Sequence, residues 1–531
     1  MKFDRSPAIL GLSACISVVA CSGTDGEDAS SSAEAFSTTV VTPFSTSPAA
    51  GHPAKPGTLF EKAAGIPFGN PAPARANATV LTFDETNPAN ARAKVNGFGA
   101  AFTDASAGLL YYDLPPNHWK DALTKLMDPK GGIGLNVVRV PIAASDSTYH
   151  ATPYSYDGVD GDTSMKHFSI EHDKQYILPE LAYVYSHLNR QVRIVASPWS
   201  APGWMKSTHS MIQGDLDGRY YQAYASYIAA LVQAYWDYST RIPIYALTPQ
   251  NEPDGKTPFV GNTPNYPGMA FSPQAEANFI TKFLVPTLHG KPFPKPLVFG
   301  FDHNWGDAYP GDLLDDLQKE GGLDDLDGMA FHCYGGNGSP ALTRLHDDRR
   351  MNGKEISLTE CDRSVNDRDG STRGYRSSAK GITAPAEGIE KLIYAFDNYS
   401  TTYLAWQLVT KPDGSPNQGG GCTGSDWHCI GVATVNGGKL DFEWDYAYLG
   451  HASKYVQRGA QTFHVGPFGV GSGPVEPIAF VNPDGTRVVL MFNASTSAET
   501  FELTWTKAGA SPKAFTATIA PRTVATYVWQ G

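Results

Sequence analysis

The chain has 531 residues, 41% of them hydrophobic and 18% charged, which suits a folded protein and excludes a disordered, collagen-like, coiled-coil or multi-span membrane chain. A formal net charge of −12 argues against nucleic acid as a partner, because phosphate backbones call for a positive surface. With 53 Gly and 39 Pro, much of the chain must be loop.

Lys2 and Arg5 precede an apolar run from Ala8 to Ala20. The run is too short to span a bilayer as a helix and has the form of an export signal. Small residues lead up to Cys21, and Ser, Asp and Glu come after it. That is the pattern of a bacterial lipoprotein signal, with Cys21 the candidate for lipidation. An ordinary secretory signal is the alternative. Residues 1–20 are therefore read as signal peptide. Residues 21–56 carry little apolar mass and are read as a flexible tether. The mature protein is expected outside the cytoplasm, as a lipoprotein at the cell envelope or secreted. An N-terminal lipid would be its one membrane link.

Residues 57–94 include Ala78–Asp84, a strand with no partner nearby. From about residue 95 to 450 short apolar strands alternate with helical stretches. The strands are Val95–Phe98, Val137–Val140, Val192–Ala196, Ile244–Thr248, Leu297–Gly300, Gly328–His332, Glu355–Thr359 and Thr402–Trp406. Helical stretches such as Tyr220–Trp236 and Pro273–Leu284 lie between them. Eight strands of this kind predict an α/β chain with a (β/α)8 TIM barrel. An open doubly wound sheet is disfavoured, because no glycine fingerprint joins a strand to a helix. Residues 451–531 change to β-rich runs, with a turn signal at Asn482-Pro483-Asp484-Gly485. They predict an antiparallel β-sandwich, which the strand near Val80 could join from the other end of the chain.

In such a barrel the chemistry lies at the C-terminal ends of the strands. Glu252 comes after strand four and Glu360 ends strand seven. Two carboxyls facing each other across a barrel mouth are what glycosidic cleavage requires. A lone Glu at a strand end is more often a salt-bridge partner. Here Asn251 stands beside Glu252, and His332 and Tyr334 end the strand next to Glu360, where Tyr334 could orient it. Arg139 lies inside strand two and needs a carboxylate, with Glu252 or Glu360 the candidates. Trp199 and Trp406 end strands three and eight. Each could be ordinary core, or could cover the apolar face of a sugar ring. Asp146, after strand two, could accept sugar hydroxyls or simply form an Asx turn. Cys422 and Cys429 bracket a short Gly-rich loop and are a candidate disulfide. Cys333 and Cys361 are buried thiols or neighbours in space. No four-ligand metal pattern is visible, so neither metal nor cofactor is expected.

Taken together, Gly97-Phe98-Gly99-Ala100-Ala101-Phe102-Thr103-Asp104, Arg139-Val140-Pro141, the run from Ala196 to Lys206, Asn251-Glu252-Pro253 and Leu358-Thr359-Glu360 make the chain resemble glycoside hydrolase family 30. These are retaining β-glycosidases that include lysosomal glucosylceramidase. The resemblance implies double displacement, with Glu252 as acid/base and Glu360 as nucleophile. It also implies a sugar subsite lined by Asp146, Trp199, Asn251, Tyr334 and Trp406, and a glycan or glycoside as the partner. Cys333 stands where the mammalian lysosomal enzyme has Trp, and Gln407 where the family usually has Asn. Bacterial relatives cleave several β-linked sugars, so an endo-β-1,6-glucanase or β-1,6-galactanase is the alternative. A non-catalytic carbohydrate-binding surface protein is the competing class.

Overall fold

The computed structural model describes residues 36–71, 78–253, 266–334, 338–362, 364–366, 386–418, 427–467 and 473–531. The signal segment, Cys21 and Cys422 lie outside the described residues, so lipidation and the Cys422–Cys429 pairing are not seen. Among the described residues no helix is long and apolar enough to cross a membrane.

Eight parallel strands close into a barrel: Gly97–Ala101, Val137–Pro141, Arg193–Ser197, Ala246–Leu247, Leu297–Asn304, Gly328–His332, Glu355–Cys361 and Thr402–Ala405. Each matches an expected strand to within a few residues. The second strand shows why the pattern works. Side chains alternate across a strand, so Val138 and Val140 join the large core outside the barrel wall. Val137 enters the inner layer with Val195, Ala246, Phe299, Ala330 and Leu404. Arg139, two residues on, points inward one layer nearer the mouth. The helix Pro273–Phe279 begins where Ser272 accepts the Ala275 N–H and Pro273 takes the first turn. It continues as a π-helical turn over Ile280–Leu284.

The second body is a two-sheet β-sandwich drawn from both ends of the chain. One sheet runs Val40–Thr46, Val524–Gln530, Thr486–Asn493, Val475–Val481, Gln461–Phe463 and Ala91–Lys94 in spatial order, with Glu61–Lys62 beyond the first. The other places Thr79–Asp84 parallel to Glu499–Thr506, which pairs antiparallel with Lys513–Ile519. Val489, Met491, Trp505, Phe515 and Trp529 pack between the sheets. Val488, Leu490 and Phe492, on the opposite face of the same strand, join the core shared with the barrel. The sandwich is thus a buttress fused to the barrel, and Trp505 and Trp529 are core residues.

One sequence expectation is corrected. The tether expected over residues 21–56 contains the strand Val40–Thr46, paired antiparallel with the strand Val524–Gln530. Val41 is fully buried and Phe44 nearly so. Few apolar residues suffice, because the edge of the C-terminal sheet supplies the backbone partners.

Candidate active site

The strand-end polar residues converge at the barrel mouth. Arg139 is wholly buried. Its guanidinium pairs with Glu360, reaches Asp302 at 2.8 Å and donates to Asn251 Oδ1 at 2.7 Å. It also lies 4.7 Å from the Trp199 ring centroid. Glu360 Oε1 accepts the Tyr334 hydroxyl at 3.0 Å. Glu252 Oε1 lies 3.0 Å from His332 Nδ1 and 3.3 Å from His303 Nδ1. The same His332 nitrogen is 3.7 Å from Glu360 Oε1. The two Oε1 atoms are therefore at most about 6.7 Å apart. That limit accommodates the retaining separation of about 5–5.5 Å.

Local backbone geometry sets these aims. Glu252 has φ 50°, and its N–H donates to the Asp302 carbonyl at 3.1 Å. Strand seven shifts register against both neighbours near Glu360. Strand five shifts register between Phe301 and His303, where Phe301 and Asp302 have φ of 73° and 60°. Bulges of this kind re-aim side chains beside active sites. Here Asp302 and His303, successive in the chain, both turn toward the site.

Asp302 and His303 are functional neighbours that sequence reasoning missed. Asp302 accepts from Ser197, Thr248 and Thr359 hydroxyls at 2.7, 2.7 and 2.6 Å, and meets His332 Nε2 at 3.2 Å. A single Asp directly after the apolar run Leu297-Val298-Phe299-Gly300-Phe301 was the available signal. Tyr266 is a third. Burial, with the charges of Asp146, Glu252 and Glu360, pushes its phenol up.

The electrostatics arise from burial among opposed charges. Burial would raise the Asp302 carboxyl, but Arg139 and His332 hold it well below the usual range. Burial would lower His332, but Glu360, Asp302 and Glu252 hold it up at about 9. Burial also acts to raise Glu252, and His303 and His332 outweigh it and lower the carboxyl. For Glu360 burial wins over His332 and Arg139, and the nearby Glu252 charge adds to the upward shift. Asp146 is pushed well up by burial and by Glu360 and Glu252. Its Oδ1 has no hydrogen-bond partner among the described residues, although the residue is only 9% exposed.

Trp199 and Trp406 pack on each other at 5.4 Å between centroids and are 3% and 2% exposed. They form a wall of the mouth rather than free-standing platforms. Gln407, which stands where Asn is usual, is buried and ties three loops. Its Oε1 accepts from Thr103, Ser106 and Ser147 hydroxyls. Cys333 and Cys361 form a disulfide across the ends of strands six and seven. Among the described residues Glu252, His303 and His332 are placed to take a metal ion: one ligand atom from each lies within 4.8 Å of the others, and both imidazole Nδ1 atoms face Glu252 Oε1.

Comparison with known proteins adds to this geometry. The pattern of the glycosyl hydrolase family 30 TIM-barrel domain matches residues 95–456, and that of the family's beta sandwich domain matches residues 468–527. A putative glucosylceramidase 4 of Caenorhabditis elegans is 27% identical over 463 residues, 86% of this chain and 85% of that protein. The endo-1,6-beta-D-glucanase BGN16.3 of Trichoderma harzianum is 28% identical over 444 residues, 80% of this chain and 82% of that protein. Among solved structures, the endo-beta1,6-glucanase BT3312 superposes with TM-score 0.72 at 24% identity, over 92% of this chain and all of its own, which speaks to the fold alone.

Proposed function

The chain belongs to glycosyl hydrolase family 30, a family of retaining O-glycosyl hydrolases, and on that premise we propose that it cleaves β-glucosidic bonds by double displacement with Glu360 as nucleophile and Glu252 as acid/base. One observation carries the assignment. Arg139 and Tyr334 hold Glu360 from two sides as a fixed, ion-paired carboxylate, whereas among the described residues Glu252 meets the two imidazoles and keeps a side chain 34% exposed. A nucleophile must be held in line with the anomeric carbon. An acid/base must reach the leaving oxygen and then a water.

In the first step Glu360 attacks the anomeric carbon and Glu252 gives its proton to the leaving oxygen. In the second, Glu252 takes a proton from water, which displaces Glu360 from the sugar. The chemistry needs the proton on Glu252 and the charge on Glu360, whereas burial raises Glu360 and the two imidazoles lower Glu252, so the proton has to pass from Glu360 to Glu252 before the first step. His332 Nδ1 faces both oxygens, so one imidazole serves the pair in moving that proton. The sugar subsite is formed by Asp146, whose Oδ1 meets no donor among the described residues, by the Asn251 amide, and by the Trp199–Trp406 wall. Asn251 commits its carbonyl oxygen to Arg139, so its contribution to a sugar is its N–H2 group.

Relatives named for glucosylceramide and for β-1,6-glucan share a glucosyl unit on one side of the scissile bond. We assign that unit to the subsite above. A β-1,6-glucan chain as the leaving side is the second reading, favoured by the glucanase relative. Product analysis on β-1,6-glucan, β-1,6-galactan and glucosylceramide decides between them. Release of glucose or gluco-oligosaccharides with β configuration is the expected result. Activity confined to galactan would overturn the glucosyl assignment. The N-terminal segment is proposed to export the enzyme and, through Cys21, to anchor it by lipid.

A further inference from the structure

Glu252 differs from an ordinary acid/base in its company. Two imidazole nitrogens meet one and the same carboxylate oxygen. His332 Nδ1 is 3.0 Å from Oε1 and His303 Nδ1 is 3.3 Å from it. The rings stand nearly perpendicular, at 84° with centroids 6.0 Å apart, so the two nitrogens approach from different directions. A tetrahedral ion with bonds of about 2.0–2.1 Å to N and O sets its ligand atoms about 3.3 Å apart. The two measured edges are already close to that value, and one ligand atom from each of the three residues lies within 4.8 Å of the others.

The outer contacts fit the same reading. His332 turns its other nitrogen, Nε2, to Asp302 Oδ1 at 3.2 Å. Asp302 is itself fixed by Arg139, Ser197, Thr248 and Thr359. A carboxylate behind a ligating histidine fixes the ring and strengthens the ligand. Both rings are buried, whereas the Glu252 side chain is 34% exposed and opens to the cleft. That opening gives an entry path and leaves room for water in a fourth position. Two imidazoles and one carboxylate select zinc, copper or nickel over magnesium and calcium.

We propose that Glu252, His303 and His332 form an inhibitory site for a divalent transition metal at the mouth of the barrel. The metal takes the place of the hydrogens through which imidazole and carboxylate now meet. It occupies the Oε1 lone pair that must carry the catalytic proton, so hydrolysis stops while the metal is bound and resumes when a chelator removes it. The inhibition rests on the role given to Glu252 above. The binding does not.

Two readouts separate them. Cobalt(II) added to the metal-free enzyme should develop the visible absorption of a four-coordinate ion with nitrogen ligands. Zinc should displace it at one equivalent and inhibit aryl β-glucoside hydrolysis in parallel. Magnesium at the same concentration should do neither. His303→Gln, shown to be folded by circular dichroism, should bind zinc more than about 100-fold more weakly, because losing a ligand costs more than the roughly 10–100-fold typical of losing the partner behind one. Absence of the cobalt spectrum from the wild type, or equal zinc affinity in His303→Gln, overturns the site. A full cobalt spectrum with undiminished hydrolysis keeps the site and overturns the inhibition, and with it the role of Glu252.

Discussion

Arg139 and Asp302 form an ion pair at 2.8 Å in which neither side chain has any exposed surface. The pair sits beneath the carboxyls and connects strands two and five through the barrel. Removing one partner of a buried pair leaves the other charge stranded, at a cost of about 3–5 kcal/mol. Asp302→Ala should therefore lower stability by about that amount in denaturant unfolding. It also frees Arg139 and His332, which hold Glu360 and Glu252, so kcat should fall with it. A folded Asp302→Ala variant with wild-type stability would show that the pair does not organise the mouth.

The roles of the two Glu residues are separable by leaving group. Glu360→Gln should abolish turnover of every aryl β-glucoside while the protein stays folded. Glu252→Ala should lose about 10²–10⁴-fold on substrates whose leaving group needs protonation, the usual size of general acid–base catalysis. It should lose far less on a dinitrophenyl glucoside, which leaves unaided. Azide should rescue the second step of Glu252→Ala and give the β-glycosyl azide. An α-azide from that variant would exchange the two assignments.

Much of this was legible in the sequence, for a definite reason. Val137-Val138-Arg139-Val140 and its counterparts are buried on both faces, so they stand out as short apolar runs, and the polar residues at their mouth ends stand out by contrast. Glu252, Glu360, Tyr334 and Arg139 were found in this way. Asp302 and His303 were not, because the fifth strand reads as ending at Gly300 but runs to Asn304 through a bulge with positive φ. No periodicity announces such a turn. Val40–Thr46 was missed for a different reason. Its partner, Val524–Gln530, is nearly the whole chain away, and pairing across that distance leaves no local pattern.

The Cys333–Cys361 disulfide joins the residue before Tyr334 to the residue after Glu360. It closes a segment with sequence separation 28. Chain entropy for a loop of that length gives about 3–4 kcal/mol of stabilisation. The Cys333→Ser/Cys361→Ser double variant should unfold at lower denaturant by that amount. If the bridge also holds the Tyr334 hydroxyl on Glu360, kcat should drop at a temperature where the variant is fully folded. Unchanged kcat there would confine the bridge to stability.

His451 fastens the barrel to both ends of the chain. It lies on the helix Trp444–Ser453, and its two ring nitrogens meet Thr526 and Thr46 hydroxyls, each at 2.9 Å. Burial lowers its pKa from the ordinary 6.5 to about 3. The folded state therefore keeps the ring neutral where the unfolded chain would protonate it. Between pH 6.5 and about 3 the unfolded state binds the extra proton, so stability rises with pH in that window and is lost as pH falls through it. A shift of this size corresponds to at most about 5 kcal/mol. His451→Gln can still bond both threonines but has no such titration. It should be somewhat less stable than the wild type at pH 7, yet lose distinctly less stability between pH 7 and pH 4. Carboxylates elsewhere contribute equally to both proteins, so the comparison isolates the imidazole. Parallel stability-against-pH curves for the two would show that His451 does not set the acid limit of the barrel–sandwich junction.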